Sequence, residues 1–323
     1  MEIHLLHDLQ RNAANGLAYH YFRGRYALGL LADYVESGRT VSAIKSSRWA
    51  PLLEKPAVKD VLARSGPRLT RDRLEGYWPD EFESYHVTYG HWGATRSWER
   101  DWHQACRRGW NLVLQLNFTG RHDALFAAVE SFFGGTLNNN SHPVPQERRT
   151  LAWARIDYDA AEREALIEEV QSDWIRDAIC DLRDADETVY GGSGRRFVQW
   201  GQRRVPLARA LHAYRQEIDR HRAIWAEAVL WAAIDVVRRE LGARRVYYHT
   251  QESNLYLKAM SPGWMPPRSI YSDLPRRFCF RRVRRGPRFL ERDDDGYTRY
   301  QVNRRRVEWY CLDWDESSLS KRE

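Results

Sequence analysis

The sequence predicts an α/β fold with a mixed, mostly antiparallel sheet and a helical, aromatic-rich N-terminal region. Three observations carry this expectation. Residues 111–118 alternate, with Leu112, Leu114, Leu116 and Phe118 on one side and Val113, Gln115 and Asn117 on the other, the period of a strand. From Leu207 to Leu241, residues Leu211, Tyr214, Ile218, Trp225, Val229 and Val236 recur at steps of three or four or their multiples, the stripe of a long helix. Gly242 closes that helix, and Arg244-Arg-Val-Tyr-Tyr-His-Thr250 follows as a buried strand, the succession of an α/β packing unit. Two regions are expected: residues 1–110, helical and aromatic, and residues 111–323, the α/β domain.

Residues 1–66 read as mainly helical, with Tyr26, Leu30 and Tyr34 on one face and Gly38 as a stop. Ala57–Ala63 is a second short helix, ended by Ser65-Gly-Pro67. Tyr85–Tyr89 alternates like a strand, and Gly90-His-Trp-Gly93 reads as the turn after it. A helix is expected over His122–Phe133, ended by Gly134 and Gly135. Strands are expected at Thr150–Asp157 and 165–171, antiparallel neighbours given their short connection. Residues 175–205 read as charged and broken. Leu255–Met260 is a short helix, and Arg277–Arg284 and Arg306–Asp313 are strands of a closing hairpin.

With 43% hydrophobic and 29% charged residues, the 323-residue chain is that of a folded protein able to bury a large core. Its 14 Trp and 17 Tyr read chiefly as core mass. No apolar run approaches the ~18 residues of a membrane span, and the N-terminus lacks the features of a signal peptide, so no membrane partner and a cytoplasmic location are expected. Cys106, Cys180, Cys279 and Cys311 show no metal or redox spacing, and no metal is assigned from spacing. The net charge is +7, with thirteen arginines between Arg268 and Arg306. Arginine pairs bidentately with phosphate, so Arg281, Arg282, Arg284, Arg285, Arg304 and Arg305 are candidate nucleic-acid contacts. The same arginines would also suit a solvated hairpin face.

The stretch with most chemistry is Glu164-Ala-Leu-Ile-Glu-Glu-Val-Gln-Ser-Asp-Trp174. It reads as a strand ending on an N-cap signal, Ser172-Asp173. In a regular strand Glu169 and Gln171 share one face, opposite Leu166, Glu168 and Val170. Polar groups leaving a half-buried strand are costly unless paired, which marks the stretch as a candidate site. Gly191-Gly-Ser-Gly-Arg-Arg196 is a glycine-rich turn able to cradle phosphate, without the ending of a P-loop.

From residue 111 onward the order is strand, strand, strand, long helix, strand, short helix, strand, strand. This order resembles the GNAT acetyltransferase superfamily. There the strands corresponding to 165–171 and 245–250 splay apart and acetyl-CoA lies between them. The family's Gln/Arg-x-x-Gly-x-Gly/Ala loop does not follow strand 165–171, where Asp173 and Asp177 stand instead. More locally, Ile167-Glu-Glu-Val-Gln-Ser-Asp-Trp174 is similar to a Glu-Glu-Ile-Gln-Ser-Asp-Trp signature of domains in phage and mobile-element large polyvalent proteins, with His91-Trp92 matching their upstream His-Trp pair.

The first resemblance implies an acyltransferase using acetyl-CoA or another acyl-CoA on a nucleic acid or protein substrate. Glu169 would then be the general base, Gln171 and Asp173 would orient the substrate, and His249 would be a second acid/base group. Gly191, Gly192, Gly194, Arg195 and Arg196 would contact the cofactor's phosphates. Two alternatives remain. One is a non-catalytic RNA- or DNA-binding protein that uses the arginine-rich hairpin. The other is a metal-dependent nuclease or phosphotransferase with Glu168, Glu169 and Asp173 as ligands, which requires a bulge to bring the two glutamates to one face.

Overall fold

The computed structural model describes residues 1–94, 105–145, 147–190, 197–258, 267–292, 302 and 307–314, apart from the side chains of 94 and 186–190. The N-terminal part contains α1 (Ile3–Asn12), β1 (Leu17–Tyr21), α2 (Arg25–Val35), β2 (Arg39–Thr40), α3 (Val41–Lys45), a 3-10 turn (Ala50–Glu54), α4 (Pro56–Ser65), β3 (Arg68–Leu69) and α5 (Arg71–Glu75). The region is mainly helical, as expected. It also supplies β1, which pairs antiparallel with β4 (Glu83–Ala94).

The chain continues through β5 (Gly109–Asn117), α6 (Gly120–Ala127), β6 (Thr150–Asp159), β7 (Glu164–Gln171) and α7 (Asp173–Tyr190). A small hairpin, β8 (Phe197–Trp200) and β9 (Arg203–Pro206), leads into α8 (Leu207–Arg239). Then come β10 (Arg245–His249), α9 (Gln251–Leu257), α10 (Arg268–Arg277), β11 (Arg281–Val283), α11 (Arg288–Glu291) and β12 (Trp309–Asp313). Eight strands form one mixed sheet in the order β1-β4-β5-β6-β7-β10-β12-β11. Neighbours are antiparallel except β7 and β10, which run parallel. The sheet is continuous across residue 110, because β4 pairs with β5 from His86↔Asn117 to Ala94↔Gly109.

Three local expectations need correction. Residues Gly90–Gly93 are not a turn but the continuation of β4. Gly93 has φ +109°, and a Cβ there would stand 2.1 Å from the Gly109 carbonyl oxygen, so glycine marks a close strand approach here. Residues 175–205 are not broken throughout. Trp174, Ala178, Leu182 and Ala185 are buried along one side of α7, and the acids that suggested a break cover its other faces. The closing hairpin is shorter than expected. Residues up to Arg277 stay helical, Cys279 takes φ +59°, and only Arg281–Val283 pairs with β12.

The long α8 packs on one face of the sheet, with Ala228 to Ile234 all buried. It also meets α2, where Gly29 lies so close to Trp231 that a Cβ would stand 2.1 Å from the indole ring. A second, smaller apolar cluster covers the other face near β7, β10 and β12 and includes Leu166, Tyr247, Leu257, Phe289 and Trp309. Among the described residues, no helix is long and apolar enough to cross a membrane.

Candidate active site

The geometry of β7 departs from a regular strand at one point. Its register against β6 runs Trp153↔Gln171, Ala154↔Val170 and Arg155↔Glu169, then shifts to Ile156↔Ile167. Glu168 is therefore the extra residue of a β-bulge. The packing agrees: Ala165, Ile167 and Val170 belong to the main core, while Leu166 belongs to the smaller cluster. Ile167 and Val170 are three residues apart, and only a bulge lets both face the same side. Glu168, Glu169 and Gln171 consequently all project away from α8. The expectation that Glu168 and Glu169 lie on opposite faces is overturned by this one residue.

The bulge lies where the parallel pairing ends, because β10 itself stops at His249. The parallel rungs run from Arg245↔Glu164 to Tyr248↔Ile167 and stop there, although β7 continues to Gln171. The Glu168 carbonyl thus has no rung to β10. It accepts a hydrogen bond from Lys258 Nζ, just past α9. Into the same opening come the Glu168 carboxylate, His249 at the end of β10, and Cys106 from the bend before β5. The Cys106 backbone N–H donates to Glu168 Oε1 at 3.0 Å, and its thiol donates to Oε2 at 3.2 Å. His249 Nε2 lies 3.1 Å from that same Oε2 and 3.4 Å from the Cys106 sulfur. On its other side, His249 Nδ1 meets Ser253 Oγ at 2.9 Å, and the Trp309 ring packs against the imidazole. Ser253 is fixed by the capping box it forms with Thr250 at the start of α9.

All four groups are buried. Burial raises the Glu168 carboxyl, but the His249 hydrogen bond and the charges of Lys258 and Arg155 outweigh it and hold the group well below the usual carboxylate range. Burial pushes His249 down to about 4, against the raising effect of Glu168. Burial lowers Lys258, partly offset by the charges of Glu169 and Glu168. Burial and the Glu168 charge push the Cys106 thiol well above its usual value. At neutral pH the centre therefore holds a carboxylate, a neutral imidazole and a neutral thiol, with the Lys258 amine beside them.

The other expected catalytic residues lie elsewhere on β7 and are tied up. Glu169 accepts a bond from Arg155 at 2.8 Å, in a pair almost wholly withdrawn from water. A carboxylate so engaged is a poor general base. Gln171 donates to Asp173 Oδ1 at 2.6 Å, and His142 Nδ1 stands 2.7 Å from Asp173 Oδ2. Burial raises the Asp173 carboxyl, yet the bonds from His142 and Gln171 with the Arg176 charge bring it below the ordinary range. Gln171 and Asp173 thus form a network of their own, and the N-cap of α7 is Ser172, whose Oγ accepts from the Ile175 N–H at 3.1 Å. Of the proposed ligand trio, Glu168 joins Cys106 and His249 rather than Glu169 and Asp173.

Gly191, Gly192, Gly194, Arg195 and Arg196 lie outside the described residues, as do Arg304 and Arg305. Arg281, Arg282, Arg284 and Arg285 are exposed on and after the edge strand β11, with Arg282 paired to Glu308. Sequence reasoning placed His249 in the site but missed Cys106 and Lys258. Cys106 sits in a bend with no periodicity, and Lys258 follows a helix of only seven residues, so neither carried a pattern to read. No family model matches the chain, and no curated protein or solved structure is significantly similar to it.

Proposed function

We propose that the chain is an acyltransferase of GNAT-like architecture that moves an acyl group from acetyl-CoA or another acyl-CoA to an amine or hydroxyl of a nucleic acid or protein. The observation that supports this reading is the strand order β7-β10-β12-β11, with β7 and β10 the one parallel pair among the described strands and β12 inserted between β10 and the later edge strand β11. That is the arrangement in which the resembled family admits its cofactor between two strands. The reading moves the base from Glu169 to His249. The His249 Nε2–H donates to the ionised Glu168, so Nδ1, bonded to Ser253 Oγ, is the nitrogen that takes the proton of the attacking amine or hydroxyl, relayed by Ser253, to form an imidazolium–carboxylate pair. The new bond forms to the acyl carbon as the thioester C–S bond breaks and CoA leaves as the thiolate. Lys258 donates to the Glu168 carbonyl where an amide N–H of an entering acyl carrier would bond.

Isothermal titration of the protein with acetyl-CoA at moderate salt tests this reading. Saturable micromolar binding, weakened by substituting Arg195 and Arg196 together, is the expected result. Absence of both heat and thermal shift would overturn the cofactor assignment.

One observation favours a second reading, a nucleic-acid-binding protein on the same scaffold: the exposed run Arg281, Arg282, Arg284 and Arg285 on a sheet edge. Here affinity for a duplex or single strand falls steeply with salt, with a log–log slope of about −0.7 to −0.9 per phosphate contacted. Charge removal at Arg281, Arg284 and Arg285 reduces that slope by about two to three, as measured by fluorescence anisotropy over a salt series. An unchanged slope removes this surface from consideration.

A further inference from the structure

We propose that Cys106, Glu168 and His249 form a binding site for one divalent cation of the zinc class. The three candidate donor atoms are Cys106 Sγ, Glu168 Oε2 and His249 Nε2. They form a closed triangle with edges of 3.2, 3.1 and 3.4 Å. A tetrahedral zinc ion with Zn–S of about 2.3 Å and Zn–N and Zn–O of about 2.0–2.1 Å needs edges of about 3.3–3.5 Å between such ligands. The triangle therefore meets the requirement within about 0.3 Å, the donors having to open slightly to admit the ion. Thiolate, imidazole and carboxylate together are a borderline-soft donor set, suited to zinc rather than to magnesium or calcium.

The surroundings fit ligation as well. A ligating imidazole is normally oriented by a bond from its other nitrogen. His249 Nδ1 has Ser253 Oγ at 2.9 Å, and Ser253 in turn has the Thr250 carbonyl as an acceptor at 3.2 Å. With the Ser253 proton on that carbonyl, Ser253 accepts from Nδ1–H, and Nε2 offers its lone pair to the cation. Glu168 Oε1 is held separately by the Cys106 N–H at 3.0 Å, and Oε2, which faces the other two donors, has Lys258 Nζ 3.7 Å away. Binding releases one proton, from the Cys106 thiol, and moves the imidazole proton from Nε2 to Nδ1. Thiolate and carboxylate then balance the two charges of the ion. A second trio, Glu83, Glu217 and His221, is less suited. Arg220 pairs with both glutamates there.

The bulge explains why this site exists. In a regular β7 the residue after Ile167 and the one after it would face opposite ways. The inserted Glu168 turns toward Cys106 and His249 while Glu169 keeps its pair with Arg155. Zinc on His249 Nε2 would occupy the base of the acyl-transfer reading, so the two are alternatives for one centre, and metal content, measured without acyl-CoA, decides the zinc site by itself.

The test uses the full chain, purified without chelator from zinc-supplemented medium, with metal measured by plasma mass spectrometry. One zinc per chain is expected in the wild type and in Cys180→Ser, whose cysteine is exposed and remote from the cluster. Replacement of zinc by Co(II) should give a thiolate-to-cobalt charge-transfer band and the intense visible bands of tetrahedral cobalt. Both should disappear in Cys106→Ser and in His249→Gln. Should either variant fail to fold, the thiolate-to-cobalt charge-transfer band of the wild type, retained in Cys180→Ser, gives the same answer. Folded wild-type protein with substoichiometric zinc and no charge-transfer band overturns the proposal, as does a band that survives Cys106→Ser. Either result leaves the triangle as a purely hydrogen-bonded core network.

Discussion

Arg155→Met is expected to destabilise the fold by about 3–5 kcal/mol, because it strands a buried carboxylate. Arg155 and Glu169 are both almost fully buried and joined at 2.8 Å across β6 and β7. Removing the guanidinium leaves Glu169 either charged in an apolar setting or protonated at a cost. Glu169→Leu should be costly for the converse reason. The double variant Arg155→Met/Glu169→Leu should recover most of the loss, since replacing a whole buried pair by apolar groups is often near neutral. Urea unfolding at pH 7.5, followed by tryptophan fluorescence, measures all four corners of the cycle. A coupling below about 0.5 kcal/mol would mean that the pair is not a unit. The cycle also separates the two roles considered for Glu169. A general base would lose activity without stability on substitution, whereas a structural partner loses stability first.

Acid should unfold this protein through its buried histidines. His122 and His221 lie 6.2 Å apart, packed around Phe118. Burial holds both down to about 4, in His122 against its bond to Asp123 and in His221 against the Glu83 charge. The folded state therefore keeps them neutral, while the unfolded chain protonates them near 6.5. Stability from this source is fully present above about pH 6.5. It falls as the pH drops from 6.5 to 4, where the unfolded state binds the extra protons. Each histidine contributes a slope of at most ~1.4 kcal/mol per pH unit, so the two together can remove a few kcal/mol within that window. His249, held at about 4 as well, adds to the same window, so urea midpoints at pH 7.5, 6.0 and 5.0 should fall accordingly and His221→Gln should reduce the slope by about a third. A midpoint that stays constant down to pH 5 would refute the assignment.

The elements with strong periodicity were legible in the sequence. The long α8 announced itself by its stripe, β5 by its alternation, and β10 by its place after Gly242. The helix α7 was not legible, because acids at Asp177, Asp181 and Asp184 hide an apolar face spaced four residues apart. The candidate site was half legible. Costly polar groups on a strand pointed to the stretch of β7 that carries Glu168, and His249 stood out on the neighbouring strand. The choice among Glu168, Glu169, Gln171 and Asp173 rested on alternation, which assumes a regular strand. A bulge has no signature in Glu-Glu-Val-Gln, and its register shift depends on β6, a partner the local sequence does not specify. Cys106 and Lys258 escaped for a related reason: they become meaningful only when distant segments meet.

That distance bears on how the molecule folds. Cys106 and His249 are separated by 143 residues along the chain, and Glu168 and His249 by 81. β7 and β10 join in parallel only after α7, the β8–β9 hairpin and the whole of α8 have crossed over between them. Closing such long loops loses chain entropy before any contact repays it, which slows assembly. A partly folded chain can hold the antiparallel β4–β5–β6–β7 meander from local pairing alone. It cannot hold the Cys106–Glu168–His249 centre, which appears only when β10 docks beside β7, so the centre is a late clock for the closing of that crossover.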